Sequence, residues 1–389
     1  MIVTHLSLTD FRNYERAEVA LVAGPNLFVG RNGQGKTNLV EAIGYLSTLG
    51  SHRVSSDQAL IRAGRDAAVI RARLEHGERE LLVEVQINRA SANRAQVNRV
   101  ATKPRELPRY AASVLFAPED LALVRGDPGG RRRYLDQLLV QLSPRVAGVL
   151  GDYDRVLRQR TTLLKSVRAA RVAQTQLSTL EVWDERLADL GSQLIVERLA
   201  LVERIRPHVA EAYRRIAGGE HTADLAARLS ILGAGDDDET ADAGGEVPTL
   251  AAEEVRAAFT AALARVRRSE VDRGLTLVGP HRDDLVLTLN GLPAKGYASH
   301  GESWSFALAL KLASAAVLRA ESPVGDPVVI LDDVFAELDE SRRARLAEGI
   351  ADYEQVLITA AVLGDVPDAL RALTVHIRGG RIVDAEDAP

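Results

Sequence analysis

The sequence predicts an α/β protein in which a mixed sheet core is interrupted by an inserted, mainly α-helical lobe. Three observations lead there. Strand-like alternation dominates roughly the first 110 residues. Helical pattern runs almost unbroken from about Arg131 to Ile216. From Gly274 to the end, strand and helix patterns alternate as in parallel-sheet proteins.

Ile2–Thr9 alternates, and Asn26–Val29 is a short apolar strand. From Lys36 to Leu49, Leu39, Ile43 and Leu46 fall at helical spacing, with Gly50 as a stop. Ala67–Leu74 and Leu81–Asn88 read as strands joined through His76-Gly77. Asp127 reads as an N-cap, with Pro128 in the first helical position. Leu187, Leu190, Leu194 and Leu201 fall near one face, so long antiparallel helices are expected, joined near Gln174–Leu180. Residues 233–247 carry Asp236, Asp237, Asp238, Glu239, Asp242 and Glu246 without a basic residue, the pattern of a flexible acidic loop. A helix is expected from about Leu250 to Arg268. This organisation assigns residues 1–112 plus 270–389 to one lobe and 113–269 to the helical one.

The 389 residues, 46% of them hydrophobic, suffice for a substantial core. With 49 basic and 54 acidic residues the net charge is −5, so any nucleic-acid surface must be a local patch. The absence of cysteine excludes disulfides and thiolate metal sites and fits a reducing compartment. No apolar run approaches the roughly 20 residues of a membrane span, and the N-terminus lacks the layout of a signal peptide. A soluble, cytoplasmic protein without a membrane partner is expected.

The strongest local signal is Gly30-Arg31-Asn32-Gly33-Gln34-Gly35-Lys36-Thr37, a full G-x-x-x-x-G-K-[ST] match between a strand and a helix. Glycines let the backbone curl so that N–H groups converge on phosphate oxygens, and the helix start adds its positive end. Lys36 can reach the terminal phosphates, and the Thr37 hydroxyl can ligate Mg²⁺. Near the other end, Val328-Val329-Ile330-Leu331 reads as a strand buried on both faces, ending in Asp332-Asp333. Carboxylates there emerge where open α/β sheets bind ligands. Asp332 is the candidate Mg²⁺ ligand, and Asp333 the candidate catalytic carboxylate that orients or deprotonates an attacking water.

Ala298-Ser299-His300-Gly301-Glu302-Ser303 precedes an apolar helical run, Trp304–Leu318. Ser299 and Gly301 at a helix start resemble a degenerate ABC-type signature, the segment that in that class touches the γ-phosphate held by the opposite subunit. The same residues also read as an ordinary Ser N-cap with Glu302 as its capping-box partner, and the segment alone does not choose.

Further segments occur in order: Phe11-Arg12-Asn13-Tyr14, Ser51-His52-Arg53, Ala117-Pro118-Glu119-Asp120-Leu121, Gly279-Pro280-His281-Arg282-Asp283-Asp284 and Ala336-Glu337-Leu338-Asp339. Together with the glycine-rich loop they resemble the bacterial RecF family from residue 6 to about 362. The resemblance implies an ABC/SMC-type P-loop ATPase head without a long coiled coil, using ATP and Mg²⁺. It implies an ATP-driven homodimer that hydrolyses slowly and binds double-stranded DNA and single/double-strand junctions. RecR and RecO are the implied partners, and helping RecA load at gaps is the implied task in DNA repair. By the same resemblance Arg12 and Asn13 lie near the nucleotide, and Glu337, Asp339 and segment 298–318 face the dimer interface. Simpler roles stand beside these: Arg12 paired with an acid, and Glu337 or Asp339 capping the next helix. His281, Arg282 and Asp283 match the family without a physical role beyond a polar turn.

The sequence also departs from the ABC pattern. After Gln355–Ile358 comes Thr359-Ala360-Ala361, with no histidine, so the γ-phosphate sensor is absent or replaced by Thr359. His300 and Glu302 stand where Gly and Gln are common. Both departures imply weak turnover. Gln58 is a candidate for the glutamine that contacts Mg²⁺ or water. Residues 121–215 hold 17 basic and 11 acidic residues, and Arg131, Arg132, Arg133, Arg155, Arg158, Arg168 and Arg171 are candidate DNA-phosphate contacts or a solvated helix face. Competing classes are a transporter ATPase subunit, an SMC-like structural chromosome protein, and a binding module gated by nucleotide.

Overall fold

The computed structural model describes residues 1–170, 175–219, 221–233, 250–322 and 325–383. The acidic segment, apart from Gly233, and Arg171 lie outside the described residues. In chain order the strands are β1 (Ile2–Phe11), β2 (Tyr14–Ala20), β3 (Gly24–Val29), β4 (Ala67–His76), β5 (Arg79–Asn88), β6 (Arg94–Val97), β7 (Val100–Thr102), β8 (Ser113–Phe116), β9 (Ala223–Arg228), β10 (Asp284–Leu289), β11 (Leu292–Pro293), β12 (Val328–Asp332), β13 (Gln355–Ala360), β14 (Leu373–Arg378) and β15 (Arg381–Val383). The helices are α1 (Lys36–Thr48), α2 (Leu121–Arg125), α3 (Pro128–Leu142), α4 (Val146–Ala170), α5 (Thr175–Ala217), α6 (Ala252–Arg273), the single turn α7 (Ala294–Tyr297), α8 (His300–Glu321) and α9 (Glu340–Ile350). They form two compact units, Met1–Leu121, Glu211–Gly219 and Trp304–Pro389 in the first, Ala122–Ala210 and Glu220–Ser303 in the second. Residues 113–121 and 211–219 thus fall with the first unit and 270–303 with the second, which differs from the division drawn on sequence pattern.

The first unit holds two sheets. One is antiparallel throughout, in the order β2-β1-β4-β5-β6-β7. Its inward face is set by alternation: Ala68, Ile70, Ala72 and Leu74 on β4, and Val83, Val85 and Ile87 on β5, are buried. The other sheet, β15-β14-β3-β13-β12-β8, is parallel except at β15. Every residue of β12 and β13 is buried, as expected for central parallel strands covered on both faces. Helix α1 is buried nearly all round because it sits inside this unit: Leu39, Val40, Ile43 and Leu46 share one core with Leu6, Ile70 and Val85 of the antiparallel sheet and Ile330 and Leu357 of the parallel one. The helix ends on Leu49 itself, in the left-handed conformation, one residue before the expected Gly50 stop.

Gln355 joins the two sheets. It is fully buried, its amide accepts from the Val3 N–H at 2.8 Å, and it donates to the carbonyls of Val3 at 2.8 Å and Val22 at 3.0 Å. A side chain here acts as an extra backbone rung and leaves no polar atom of the amide unsatisfied.

In the second unit β9, β10 and β11 form a small antiparallel sheet. The expected parallel alternation from Gly274 therefore begins only at β12, because β10 turns back on β11 within three residues and pairs antiparallel to β9. Helix α5 already starts at Thr175, ahead of most of the expected joint at 174–180. Leu180, Leu187, Leu194 and Leu201 recur every seven residues and are all buried. Asp127 precedes Pro128 as expected, but its side chain makes no cap bond.

Several arginines of this unit are interior. Arg131 makes a bidentate pair with Asp284 at 2.7 and 2.9 Å and donates to the Leu123 and Gly126 carbonyls. Arg198 pairs with Asp136 and donates to the Pro280 carbonyl. Arg160, with no exposed surface, pairs with Asp184 at 2.6 Å and Glu270 at 2.5 Å and donates to Thr276 at 2.9 Å. The Gly279–Asp284 motif packs among them. His281 Nδ1 meets the Tyr153 hydroxyl at 2.7 Å, and burial pushes its pKa down to about 4. Asp283 accepts from the Ser230 N–H and hydroxyl at 2.8 Å, and burial pushes its pKa up to about 6. The motif's physical role is a buried polar knot that joins α3, α4, the turn at Ser230 and β10.

Replacing Arg160 by Leu leaves Glu270, itself fully buried, without its counter-charge. The variant should lose about 3–5 kcal/mol of unfolding free energy, read from urea denaturation. A change under about 1 kcal/mol would mean that the acids find other donors.

Candidate nucleotide site

The parallel sheet decides where the functional residues meet. β3 and β12 lie on either side of β13, and all three strands end on the same edge. The glycine-rich loop follows β3, Asp332-Asp333 ends β12, and Thr359 stands near the end of β13 between them. This is the crevice beyond the carboxyl ends of parallel strands where open α/β sheets take ligands.

The loop is shaped by close approach. A Cβ on Gly30 would meet the Ile377 carbonyl oxygen at 2.3 Å, and one on Gly35 would meet the Asn13 amide at 2.7 Å and the Tyr14 hydroxyl at 2.9 Å. Gly35, at φ +115°, is also the N-cap of α1, so the loop runs straight into a helix start. Both ends of Gln34 are held by the turn after β14, since Gly379 N–H donates to its side chain at 2.6 Å and Gly380 N–H to its carbonyl at 2.9 Å. Tyr14 donates to the Gly35 carbonyl at 3.1 Å, and Asn13 donates to the Gln34 carbonyl at 3.1 Å. Lys36 is almost wholly buried, with Nζ 3.4 Å from the Arg31 carbonyl. A buried ammonium where a glycine-rich loop runs into a helix start suits an anion with several charges, such as a polyphosphate.

The two aspartates are held differently. Asp332 is buried, and its Oδ1 accepts from the Thr37 hydroxyl at 2.9 Å and the Thr359 hydroxyl at 2.6 Å. Asp333 sits at φ 53°, a left-handed turn that swings it off the strand, and its N–H donates to Thr359 Oγ1 at 2.9 Å. Its side chain is half-buried, and burial raises its pKa, with Lys36 opposing and Asp332 adding to the shift. Among the described residues no group of three or more His, Cys, Asp and Glu is arranged to hold a metal ion. The oxygen pair Thr37–Asp332 fits Mg²⁺, which usually takes one or two protein oxygens and completes its shell with water and phosphate.

A second layer braces the loop from behind. Arg12 is committed to α1. It forms a bidentate pair with Glu41 of α1 at 2.6 and 2.8 Å, and Glu41 is 1% exposed. Ser51 donates to the same carboxylate. Arg53 donates to Asn38 at 3.0 Å, and Asn38 donates to Asn13 at 2.7 Å. The segments around Arg12 and Ser51, far apart in sequence, thus converge on α1. His52, between Ser51 and Arg53, points its Nε2 toward Asp332 Oδ2 at 3.7 Å. Sequence reasoning noted the Ser51-His52-Arg53 segment but did not see that it reaches the carboxylate.

Other expected residues are held by contacts of their own. Gln58 donates to the Arg89 carbonyl at 3.1 Å and is not brought to Thr37 or Asp332, because its short 3₁₀ turn faces the β5–β6 connection. Ser299 and Glu302 make a reciprocal capping box: Ser299 N–H to Glu302 at 2.7 Å, Glu302 N–H to Ser299 Oγ at 3.3 Å. Gly301 follows in the first turn of α8. Asp339 caps α9 through the Arg342 N–H at 2.8 Å, and Glu337 is exposed in the preceding turn. Arg131 is no DNA contact, since it is buried against Asp284. Arg132 donates to the Asp283 carbonyl at 2.7 Å, and only Arg133 of the three is exposed.

Thr359 therefore serves both aspartates at once. Thr359→Val keeps the shape and removes one donor to Asp332 and one acceptor for Asp333. A loss of about 1–3 kcal/mol in urea unfolding is expected, with Thr359→Ser near wild type. Equal stability of the Val and Ser variants would show that the hydroxyl is dispensable.

The RecF/RecN/SMC N terminal domain family matches residues 2–379. DNA replication and repair protein RecF of Clavibacter michiganensis subsp. michiganensis (strain NCPPB 382) is 67% identical over 390 residues, covering 99% of this chain and 96% of that protein. RecF of Leifsonia xyli subsp. xyli (strain CTCB07) is 65% identical over 384 residues, covering 99% and 100%. The solved structure of the recombination mediator protein RecF-ATPrS in the RecFOR pathway superposes with a TM-score of 0.85 at 26% identity, covering 98% of this chain and 97% of that one. An SMC head bound to the C-winged helix domain of ScpA shares the fold, with a TM-score of 0.51 at 15% identity over 98% of this chain and 97% of that one. Matched along nearly its whole length, the chain belongs to the RecF family of DNA replication and repair proteins, within the wider RecF/RecN/SMC group.

Proposed function

We propose that this chain is an ATP-dependent, DNA-binding recombinational repair protein. ATP and Mg²⁺ close two copies into a clamp on DNA at gaps or single/double-strand junctions, and slow hydrolysis reopens it. The observation that carries this reading is the Asp332 carboxylate, tied through Thr37 and Thr359 to a cradle shaped for phosphates. The solved relative named for its ATP complex in the RecFOR pathway supports ATP as the cofactor and RecR and RecO as partners; helping RecA load is the task this reading assigns to them.

Each residue then has a task. The N–H groups of Gly30–Thr37 and the Lys36 ammonium take the phosphates. Thr37 and Asp332 would hold Mg²⁺, which supplies charge neutralisation on the phosphates when bound. Asp333, off the strand end and within reach of Lys36's field, orients or deprotonates the attacking water. Ser299, Gly301 and Glu302 present a capped helix start to the partner copy's nucleotide, and Glu337 and Asp339 lie at the same interface. The exposed arginines Arg133, Arg155, Arg158 and Arg168 are the DNA-phosphate contacts of the helical unit.

Asp333→Asn should bind ATP and Mg²⁺ as wild type does but lower phosphate release by about 10²–10⁴ under saturating ATP. Lys36→Ala should instead lose about 1.5–3 kcal/mol of nucleotide affinity, more than tenfold, measured with a fluorescent ATP analogue. Turnover by Asp333→Asn within about twofold of wild type would remove Asp333 from catalysis.

A further inference from the structure

Among the described residues the hydrogen bonds to the Asp332 carboxylate fall on one oxygen. Oδ1 accepts two hydroxyl hydrogen bonds, from Thr37 and Thr359. Oδ2 faces His52, whose Nε2 stands 3.7 Å away, roughly 0.8 Å beyond an ordinary N–H···O bond. That Nε2 is buried and has no hydrogen-bond partner among the described residues. A buried ring nitrogen without a partner is costly, so its placement beside a functional carboxylate calls for an explanation.

The backbone around His52 is held with care. Ser51 Oγ accepts from the N–H groups of Arg53 at 2.9 Å and Val54 at 3.1 Å while donating to Glu41, which Arg12 neutralises. Arg53 reaches the loop through Asn38 and Asn13. The tight turn 51–54 is thus tied at both ends to α1 and the glycine-rich loop, and what it delivers to the crevice is the imidazole. No histidine comes directly after β13, whose own Thr359 is bound to Asp332, and Gln58 is turned toward Arg89. His52 comes from a different part of the chain than either.

We infer that His52 is a positioning residue for the metal-bearing carboxylate. Its Nε2 fixes Asp332 Oδ2, or a water of the ion's shell that this oxygen holds, so that Mg²⁺ meets a carboxylate with a single orientation. Thr37 and Thr359 orient Oδ1, and His52 orients Oδ2. Outer partners of this kind set the direction and basicity of a ligand without touching the ion. The inference rests on the nucleotide-site reading above.

The test is a Mg²⁺ titration of the binding of a fluorescent ATP analogue to the full chain, beside the same binding in EDTA. Wild type should bind more tightly as Mg²⁺ is added. His52→Ala should bind the analogue in EDTA as wild type does, but need about tenfold more Mg²⁺ for the half-maximal tightening. His52→Gln, whose amide reaches as far as Nε2, should restore most of the wild-type requirement. His52→Asn, which reaches only as far as Nδ1, should not. An unchanged Mg²⁺ requirement in His52→Ala overturns the inference. So does an equal loss of binding in EDTA that Gln fails to rescue, since His52 would then merely support the loop. If the Ala variant does not fold, by circular dichroism, the contrast between Gln and Asn decides the matter. Absence of nucleotide binding by wild type would sink the site reading itself, a different result from either.

Discussion

One carboxylate organises the first unit. Asp332 Oδ1 receives hydroxyl protons from Thr37, at the start of α1 after β3, and from Thr359, at the end of β13. These residues come from two neighbouring parallel strands, β12 and β13, and from the start of the helix that follows β3, so the two hydrogen bonds tie the helix start to both strand ends. Hydrogen bonds to a charged acceptor contribute about 1.5–3 kcal/mol each, enough to make the crevice a rigid feature. The remaining contacts serve that geometry: Gln355 locks β13 to the antiparallel sheet, and the Arg12–Glu41 pair anchors the helix that carries Thr37.

Much of this was legible in the residues. The glycine-rich loop, its flanking strand and helix, and the buried strand ending in Asp332-Asp333 are local signals, each written in a few consecutive residues. What could not be read was convergence. Arg12 reads as a nucleotide contact or a surface pair, yet it is the counter-charge of Glu41, a buried acid that helical periodicity alone does not flag. Thr359 reads as a sensor substitute, whereas its place between β3 and β12 makes it a brace, and only strand order reveals that. His52 reads as one letter of an ordered motif, and its approach to Asp332 depends on a turn held by side chains from elsewhere. Gln58 is of the right residue type to contact Mg²⁺ or water, but the short 3₁₀ turn that carries it faces the Arg89 carbonyl.

The helical unit teaches a related lesson about arginine. A positive excess over residues 121–215 suggests a continuous surface for a polyanion, but Arg131, Arg160 and Arg198 are interior, paired with Asp284, with Asp184 and Glu270, and with Asp136. Counting charge along a chain cannot separate an arginine that meets solvent from one that stitches helices together. The Gly279–Asp284 motif belongs to the second kind, with His281, Asp283 and Asp284 all committed to partners inside the unit. The arginines left outside are fewer than composition suggests.

The central claim is that nucleotide binding in the Asp332 crevice is converted into pairing of two copies on DNA. Sedimentation velocity of the pure chain, with and without ATP–Mg²⁺ and a short gapped duplex, addresses it directly, with Ser299→Arg as the comparison. The expected result is a dimer that forms only with ATP–Mg²⁺, carries the duplex with it, and is absent in Ser299→Arg although that variant still binds nucleotide. The same sedimentation coefficient with and without ATP–Mg²⁺, or a Ser299→Arg protein that dimerises as wild type does, would contradict it.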